Sequence, residues 1–179
     1  MQIEVVKSKI HRVTVRQADL NVGEVAVVVG LGLVGQITAR LLVASGVQVL
    51  CVDLNDHAVG LARTHGLRVF GGQEKAQLAE AIAQASHGQG ADGILVCAAT
   101  RSSDPIVEAA EWCRQRGTIV VVGAVGMDLP REPFYLKEIN FKLSCSYGPG
   151  RYESNYEGKG MDYPIGFVRW TEQRNFEAF

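Results

Sequence analysis

Three glycines and one aspartate carry the chemistry that can be read from this chain. In "VAVVVGLGLVGQITARLL", residues 25–42, Gly30, Gly32 and Gly35 stand between a run of valines and a helical stripe of Val34, Ile37, Leu41 and Leu42. A strand that turns sharply into a helix leaves the first helical amides unpaired, with the positive end of the helix dipole behind them. Such an end suits a phosphate. Gly30 permits the tight turn, Gly32 has no Cβ to hold the backbone away from a diphosphate, and Gly35 lets the helix pack closely on the strand. Asp53 ends the next apolar run, 18 residues beyond Gly35. A carboxylate there can accept two hydrogen bonds from the hydroxyls of a ribose. The glycine spacing alone is a weak pattern; with strand, helix and acid in order it points to a dinucleotide cradle.

The acid also discriminates between cofactors. It would repel a 2′-phosphate, and Leu54, Asn55 and Asp56 supply no positive charge to offset it. NAD(H) is therefore expected over NADP(H). Other residues matter by position, because ligands of open α/β sheets sit outside the carboxyl ends of the strands. That places Cys97, Ala98, Ala99 and Thr100 after the fourth strand, and Val122, Gly123 and Ala124 after the fifth, near the cleft. For each of these, plain packing and cofactor contact both remain open. Ser144 and Ser146, opposite Phe141, Leu143 and Cys145 on the sixth strand, could line the nicotinamide end or serve structure alone.

The elements that must position this set alternate along the chain. Strands are expected at Val25–Val29, Val47–Val52 and Leu67–Phe70, then in "ADGILVCAA", "GTIVVVGA" and "INFKLSCS". Between them lie a helix with Ala58, Leu61, Ala62 and His65, a polar helix from Glu74 to Ser86, a helix from Asp104 to Arg116, and a helical turn in "REPFYLKE". Strands that are apolar throughout need cover on both faces, as crossover helices give a parallel sheet. The expected fold is α/β, a doubly wound, six-stranded parallel (Rossmann) sheet of order 3-2-1-4-5-6. Residues 1–22 form a lead-in segment that reads equally as strand or short helix, 23–147 the dinucleotide-binding domain, and 148–179 a loop and C-terminal helix. That last helix is expected to start near Pro164 and to carry Ile165, Val168, Phe176 and Phe179 on one face.

Bulk properties exclude several classes. A chain of 179 residues holds one well-filled domain plus an appendage. Hydrophobic residues make up 47 % and charged residues 21 %, which is globular composition. A formal net charge of −1 with no block of Lys and Arg argues against a nucleic-acid partner. No apolar run is long enough to span a membrane, and the N-terminal residues lack the apolar core of a secretory signal, so a cytoplasmic location is expected. Cys51, Cys97, Cys113 and Cys145 form no C-x-x-C pair and read as buried thiols. His11, His57, His65 and His87 lack ligand spacing, so no metal site is expected within the chain.

Beyond these patterns, "ADLNVGEVAVVVGLGLVGQITARLLVASGVQVLCVDLN" and "GTIVVVGAVG" resemble the cofactor-binding domain of the medium-chain dehydrogenase/reductase superfamily, in its zinc-type alcohol dehydrogenase group. The resemblance covers about residues 18 to 147. The tail is similar to a narrower subgroup in which such a half is fused to an oxidoreductase module of the glucose-fructose oxidoreductase type. Carried over, the resemblance implies that Gly30, Gly32, Val34 and Gly35 hold a pyrophosphate, with Leu33 beside them. It implies that Asp53 binds ribose next to Leu54, that Cys97 to Thr100 wall the ribose sites, and that Val122, Gly123, Ala124 and Ser144 lie near the nicotinamide carboxamide.

The same resemblance implies a GroES-like catalytic domain that supplies zinc ligands, a proton relay and much of the substrate pocket. Residues 1–22 cannot contain it, so this chain is expected to be inactive by itself, and no catalytic residue is assigned. Tyr147, Tyr152 and Lys159 have acid–base chemistry but no partner constellation. The superfamily implies a homodimer joined through the edge strand 139–146, whose open backbone is a pairing template. Two rival readings stand beside the NAD-dependent oxidoreductase: a non-enzymatic NAD(H) sensor or docking module, and an S-adenosylmethionine-dependent methyltransferase. Gly35 and the absence of a closing antiparallel hairpin pattern weigh against the latter.

Overall fold

The computed structural model describes residues 14–177. Its centre is β1 (Val25–Val29), five apolar residues that are all buried. β2 (Gln48–Asp53), β3 (Arg68–Gly71), β4 (Ala91–Val96), β5 (Cys113–Val121) and β6 (Asn140–Leu143) complete a parallel sheet of order β3-β2-β1-β4-β5-β6. This is the expected order. Helices α1 (Leu33–Ala44), α2 (Asp56–Thr64), α3 (Lys75–Ala85), α4 (Asp104–Trp112) and α5 (Arg131–Leu136) connect the strands.

The alternation of side chains along each strand explains the two layers. Val25, Val27, Val29, Ile94, Val96 and Ile119 point to one face, which α3 covers with Leu78 and Ile82 and α4 with Ile106 and Ala109. Ala26, Val28, Cys51, Leu95 and Val120 point to the other, covered by Leu42 of α1 and Val59 and Ala62 of α2. Residues 14–18 are helical, and Ala18 joins this second layer. Leu20 follows and lies so close to Gly93 that a Cβ there would meet its methyls at 3.0 Å.

Two expectations about helices are corrected. The helix from Asp104 stops at Trp112, four residues short of Arg116, because residue 113 is already extended and pairs with Ala91. Arg114 is held by Asp92, whose Oδ1 accepts from Nε at 2.6 Å while Oδ2 accepts the Val25 amide at 2.8 Å. The ammonium of Lys137 then closes the helix end, donating to the carbonyls of Ala110, Glu111 and Cys113 at 2.8, 2.8 and 2.9 Å. A cation at this position meets both the orphan carbonyls and the negative dipole end.

In the tail, Pro164 opens only a turn, with Phe167 and Val168 amides donating to its carbonyl. The helices are instead α6 (Ser154–Lys159) and α7 (Glu172–Glu177). No single apolar face carries Ile165, Val168 and Phe176, since Ile165 is 59 % exposed in the turn; Phe179 lies outside the described residues. Arg174 prevents a continuous helix by drawing the carbonyls of Tyr163 and Val168 and the carboxylate of Asp162 to its guanidinium. No helix among the described residues is long and apolar enough to cross a membrane.

Candidate functional site

β1 has β2 on one side and β4 on the other, and the crossovers leave it in opposite directions, which opens a crevice at the carboxyl ends. The register levels those ends: Val29 pairs with Val52 on one side and Val96 on the other. The turn after β1, the aspartate closing β2 and the loop after β4 therefore emerge together. They line a cleft of about 640 Å³ that includes Gly30, Gly32, Asp53, Leu54, Cys97, Ala98, Ala99 and Thr100.

Gly30 leaves the strand with φ +91°, and its amide donates to Val52 O at 2.8 Å. A Cβ would lie 2.6 Å from the Ala98 nitrogen, so both conformation and space require glycine. At Gly35 a Cβ would stand 1.8 Å from the Gly30 carbonyl oxygen, which is how closely the helix lies on the turn. Gly32 differs: it precedes α1, is exposed, and a Cβ there would meet nothing within 4 Å. The surface beside it is open backbone.

The helical ladder begins with the Gln36 amide donating to Gly32 O at 3.0 Å. The amides of Leu33, Val34 and Gly35 precede it, no side chain caps this end, and no acidic residue occupies the first turn. Gln36 Nε2 donates to Leu31 O at 3.0 Å and fixes the bend. The Asp53 carboxylate reaches back to the same bend, accepting the Leu31 amide with Oδ2 and the Asn55 amide with Oδ1, the latter at 2.7 Å. Asn55 in turn caps α2 by accepting from the His57 and Ala58 amides. The geometry fits a dinucleotide: open backbone amides at a dipole end, a glycine cradle and a carboxylate oriented beside them.

The β5 loop supports the wall. Val122 and Gly123 amides donate to Val96 O at 2.9 and 3.0 Å, and the Thr100 amide to Ala124 O at 2.9 Å. A Cβ on Gly123 would lie 1.8 Å from Ala98 O. Val122, Gly123 and Ala124 thus brace the residues that line the cleft and are not among its lining. Ser144 is engaged elsewhere, its hydroxyl 3.2 Å from that of Thr14.

The cysteines divide three to one. Cys51 and Cys97 are pushed up to about 12 and Cys113 to about 11, in each case first by desolvation, so all three thiols stay protonated at neutral pH. Thr38 hydrogen-bonds the Cys97 sulfur. Cys145 departs from the buried expectation and is exposed.

The sequence reading missed the far wall of the cleft, which Lys75, Ser102, Asp104, Pro105 and Glu108 supply. Lys75 starts α3 and forms an ion pair with Glu108 of α4. The only available signal was that Lys75, Asp104, Pro105 and Glu108 sit in the first two turns of helices on the same face of the sheet, with Ser102 in the loop just ahead of α4. Tyr147, Tyr152 and Lys159 do not line the cleft. Tyr147 instead donates to the Glu157 carboxylate, which Arg151 also binds.

The parallel sheet, glycine turn and switch-point cleft define a Rossmann-like domain. Residues 34–157 match the zinc-binding dehydrogenase family, and the chain belongs to that family, whose dinucleotide-binding part these residues form. It is 32 % identical over 167 residues to D-guloside 3-dehydrogenase of Escherichia coli (strain K12), covering 89 % of this chain and 43 % of that protein. It is 29 % identical to the probable D-xylulose reductase A of Emericella nidulans, covering 78 % of this chain and 40 % of the relative. The chain thus spans about two-fifths of the curated relatives it matches. Among solved structures, 2R,3R-butanediol dehydrogenase from Bacillus subtilis superposes with a TM-score of 0.71 at 21 % identity, over 90 % of this chain and 47 % of that one. The D-arabinose dehydrogenase from Sulfolobus solfataricus gives 0.69 at 16 % identity, over 89 % and 53 %. These two likenesses show the fold.

The family name implies zinc. Among the described residues no three His, Cys, Asp or Glu side chains are grouped so that they could hold a metal ion, so these residues do not fit a zinc centre.

Proposed function

We propose that this chain holds NAD(H) for an oxidoreductase that moves a hydride to or from an alcohol, carbonyl or sugar. The observation that carries the reading is the Asp53 carboxylate turned onto the Leu31 amide at the mouth of the glycine bend, inside the cleft. In this reading the amides ahead of Gln36 bind the diphosphate, Gly32 gives it room, and Asp53 accepts the adenosine ribose hydroxyls with its remaining lone pairs. Ala98, Ala99 and Thr100 wall the cleft, and the β5 loop keeps that wall in place. Bound NAD supplies a hydride acceptor at the nicotinamide ring. In this reading the lining residues serve the cofactor, and the acid–base and substrate groups belong to a catalytic part that the longer relatives have room for.

Preference for NAD over NADP follows from charge. Asp53, Asp104 and Glu108 face a single ammonium, Lys75, in this cleft, and a 2′-phosphate brings close to two further negative charges. Relatives named for D-guloside and D-xylulose favour a sugar or polyol carbinol as the substrate class. Pairing of two copies through β6 belongs to the same proposal. The strand is at the sheet edge and Leu143 is 60 % exposed, while Phe141 turns inward, edge-on to Phe134 at 5.7 Å. Light scattering at tens of micromolar, with monomer as the only species, would remove the dimer.

Calorimetric titration with NADH, NADPH and S-adenosylmethionine tests the cofactor. Binding of NADH that weakens roughly tenfold or more in Asp53→Ala is expected, from loss of charge-assisted bonds. No heat with millimolar NADH, or preference for S-adenosylmethionine, overturns the reading.

A further inference from the structure

A second hollow, of about 580 Å³, adjoins the cofactor cleft and shares Leu54 and Lys75 with it. Asp56, Val59, Arg63 and residues 71–74 complete its lining. It therefore begins where the β2 loop carrying Asp53 passes over the start of α3. Two cations face it, and each is already taken. Lys75 is paired with Glu108 across the gap between α3 and α4. Arg63 donates to Glu74 Oε2 at 2.7 Å and to Val69 O at 3.0 and 3.3 Å. The Gly71 amide also binds the Glu74 carboxylate, and that bond, ahead of the Arg63 charge, keeps Glu74 below the usual carboxylate range.

If Asp53 holds the ribose, a phosphate on the adenosine 2′-oxygen lies close to Leu54, the neighbouring residue that borders both the cleft and this hollow. It would need unpaired cations there, because charge-assisted bonds are what offset its desolvation. We propose that Glu108 and Glu74 are specificity-determining residues: by occupying Lys75 and Arg63 they deny a 2′-phosphate its counter-charges, a second barrier behind Asp53. The inference rests on the dinucleotide reading and deepens it. It also accounts for why two cations beside the cleft leave it acidic. Ion pairs this exposed, with side-chain exposures of 40 and 27 % for Lys75 and Glu108 and 50 and 42 % for Arg63 and Glu74, contribute little to stability. Their carboxylates can therefore be neutralised without unfolding the chain.

The test compares ADP-ribose with ADP-ribose 2′-phosphate by calorimetry at low salt, in an Asp53→Asn background that removes the first barrier. Adding Glu108→Gln is expected to lower the ratio of the two dissociation constants, phosphorylated over plain, by about fivefold. Glu74→Gln, just ahead of α3 and not in α4, is expected to lower it about twofold and serves as the independent reading should the first variant misfold. Lys75→Met on top of Glu108→Gln should return the ratio to that of Asp53→Asn alone, and raising salt to about 0.5 M should shrink the gain. A folded Asp53→Asn/Glu108→Gln protein with an unchanged ratio overturns the inference while leaving the cofactor reading intact. Wild-type protein that binds neither compound overturns both.

Discussion

The cleft end of the sheet and the edge beyond β5 are built on different principles. At β1, β2 and β4 the backbone itself makes the site: carbonyls and amides at matched heights, glycines where no Cβ fits, and Asp53 bonded to the bend. From β5 outward, long polar side chains do the joining. Lys137 ties α4 to the corner before β6, Arg174 gathers three acceptors in the tail, and the Arg16 guanidinium lies 3.6 Å over the Trp170 ring. The first construction tolerates almost no change in volume and the second tolerates loosening. The difference is one of steric against electrostatic definition.

The largest expected effect attacks the first construction. Gly35→Ala puts a Cβ 1.8 Å from the Gly30 carbonyl, so α1 must leave the turn. A loss of at least about 3 kcal/mol in urea unfolding is expected, since the clash is with backbone that cannot rotate away. Lys137→Met comes next, on the other side of the comparison. It strips three carbonyls of a charged donor and should cost about 2 kcal/mol by the same measurement. Gly32→Ala separates stability from binding: with open space at its Cβ it should leave unfolding within about 0.5 kcal/mol of wild type. It should still weaken NADH by about tenfold in calorimetry, because the methyl occupies the path of the diphosphate. If stability falls with affinity, Gly32 belongs to the packing and the contrast with Gly35 fails. Arg174→Ala should be smallest, moving the global midpoint by under about 0.5 kcal/mol while opening the tail to limited proteolysis.

The thiols sharpen the comparison by pH. Three cysteines lie in or beside the sheet and have folded values raised to about 11 or 12. Below the unfolded value both states hold the proton, and no stability is at stake. As pH rises past it the unfolded chain gives up protons that the folded chain retains, so stability falls with rising pH up to the folded values. Thiol labelling at pH 8 should find one fast cysteine per folded chain, Cys145, which is the one at the edge.

The legibility of the sequence follows the same division. The doubly covered parallel sheet could be read because the β-branched runs at 25–29 and 119–122 are apolar on both faces, which demands helices on both sides. The bend at Gly30 and the acid at Asp53 could be read because their spacing is local. What escaped was set by distant partners. Nothing in residues 104–116 says that the helix must stop at Trp112; Ala91, Asp92 and Lys137 say it. The apolar residues after Pro164 suggested an amphipathic helix, yet Arg174 bends that segment from ten residues downstream. Lys75 and Glu108, 33 positions apart, meet only because α3 and α4 cover the same face of the sheet.

Lys137 has a consequence for how the molecule breathes. Its ammonium is the shared fastening of the last carbonyls of α4 and the corner that leads into β6, and the Arg116 amide is bonded to the Lys137 carbonyl in return at 2.6 Å. Fraying of either side undoes a bond of the other, so the helix terminus and the corner leading into the outermost strand are expected to open together.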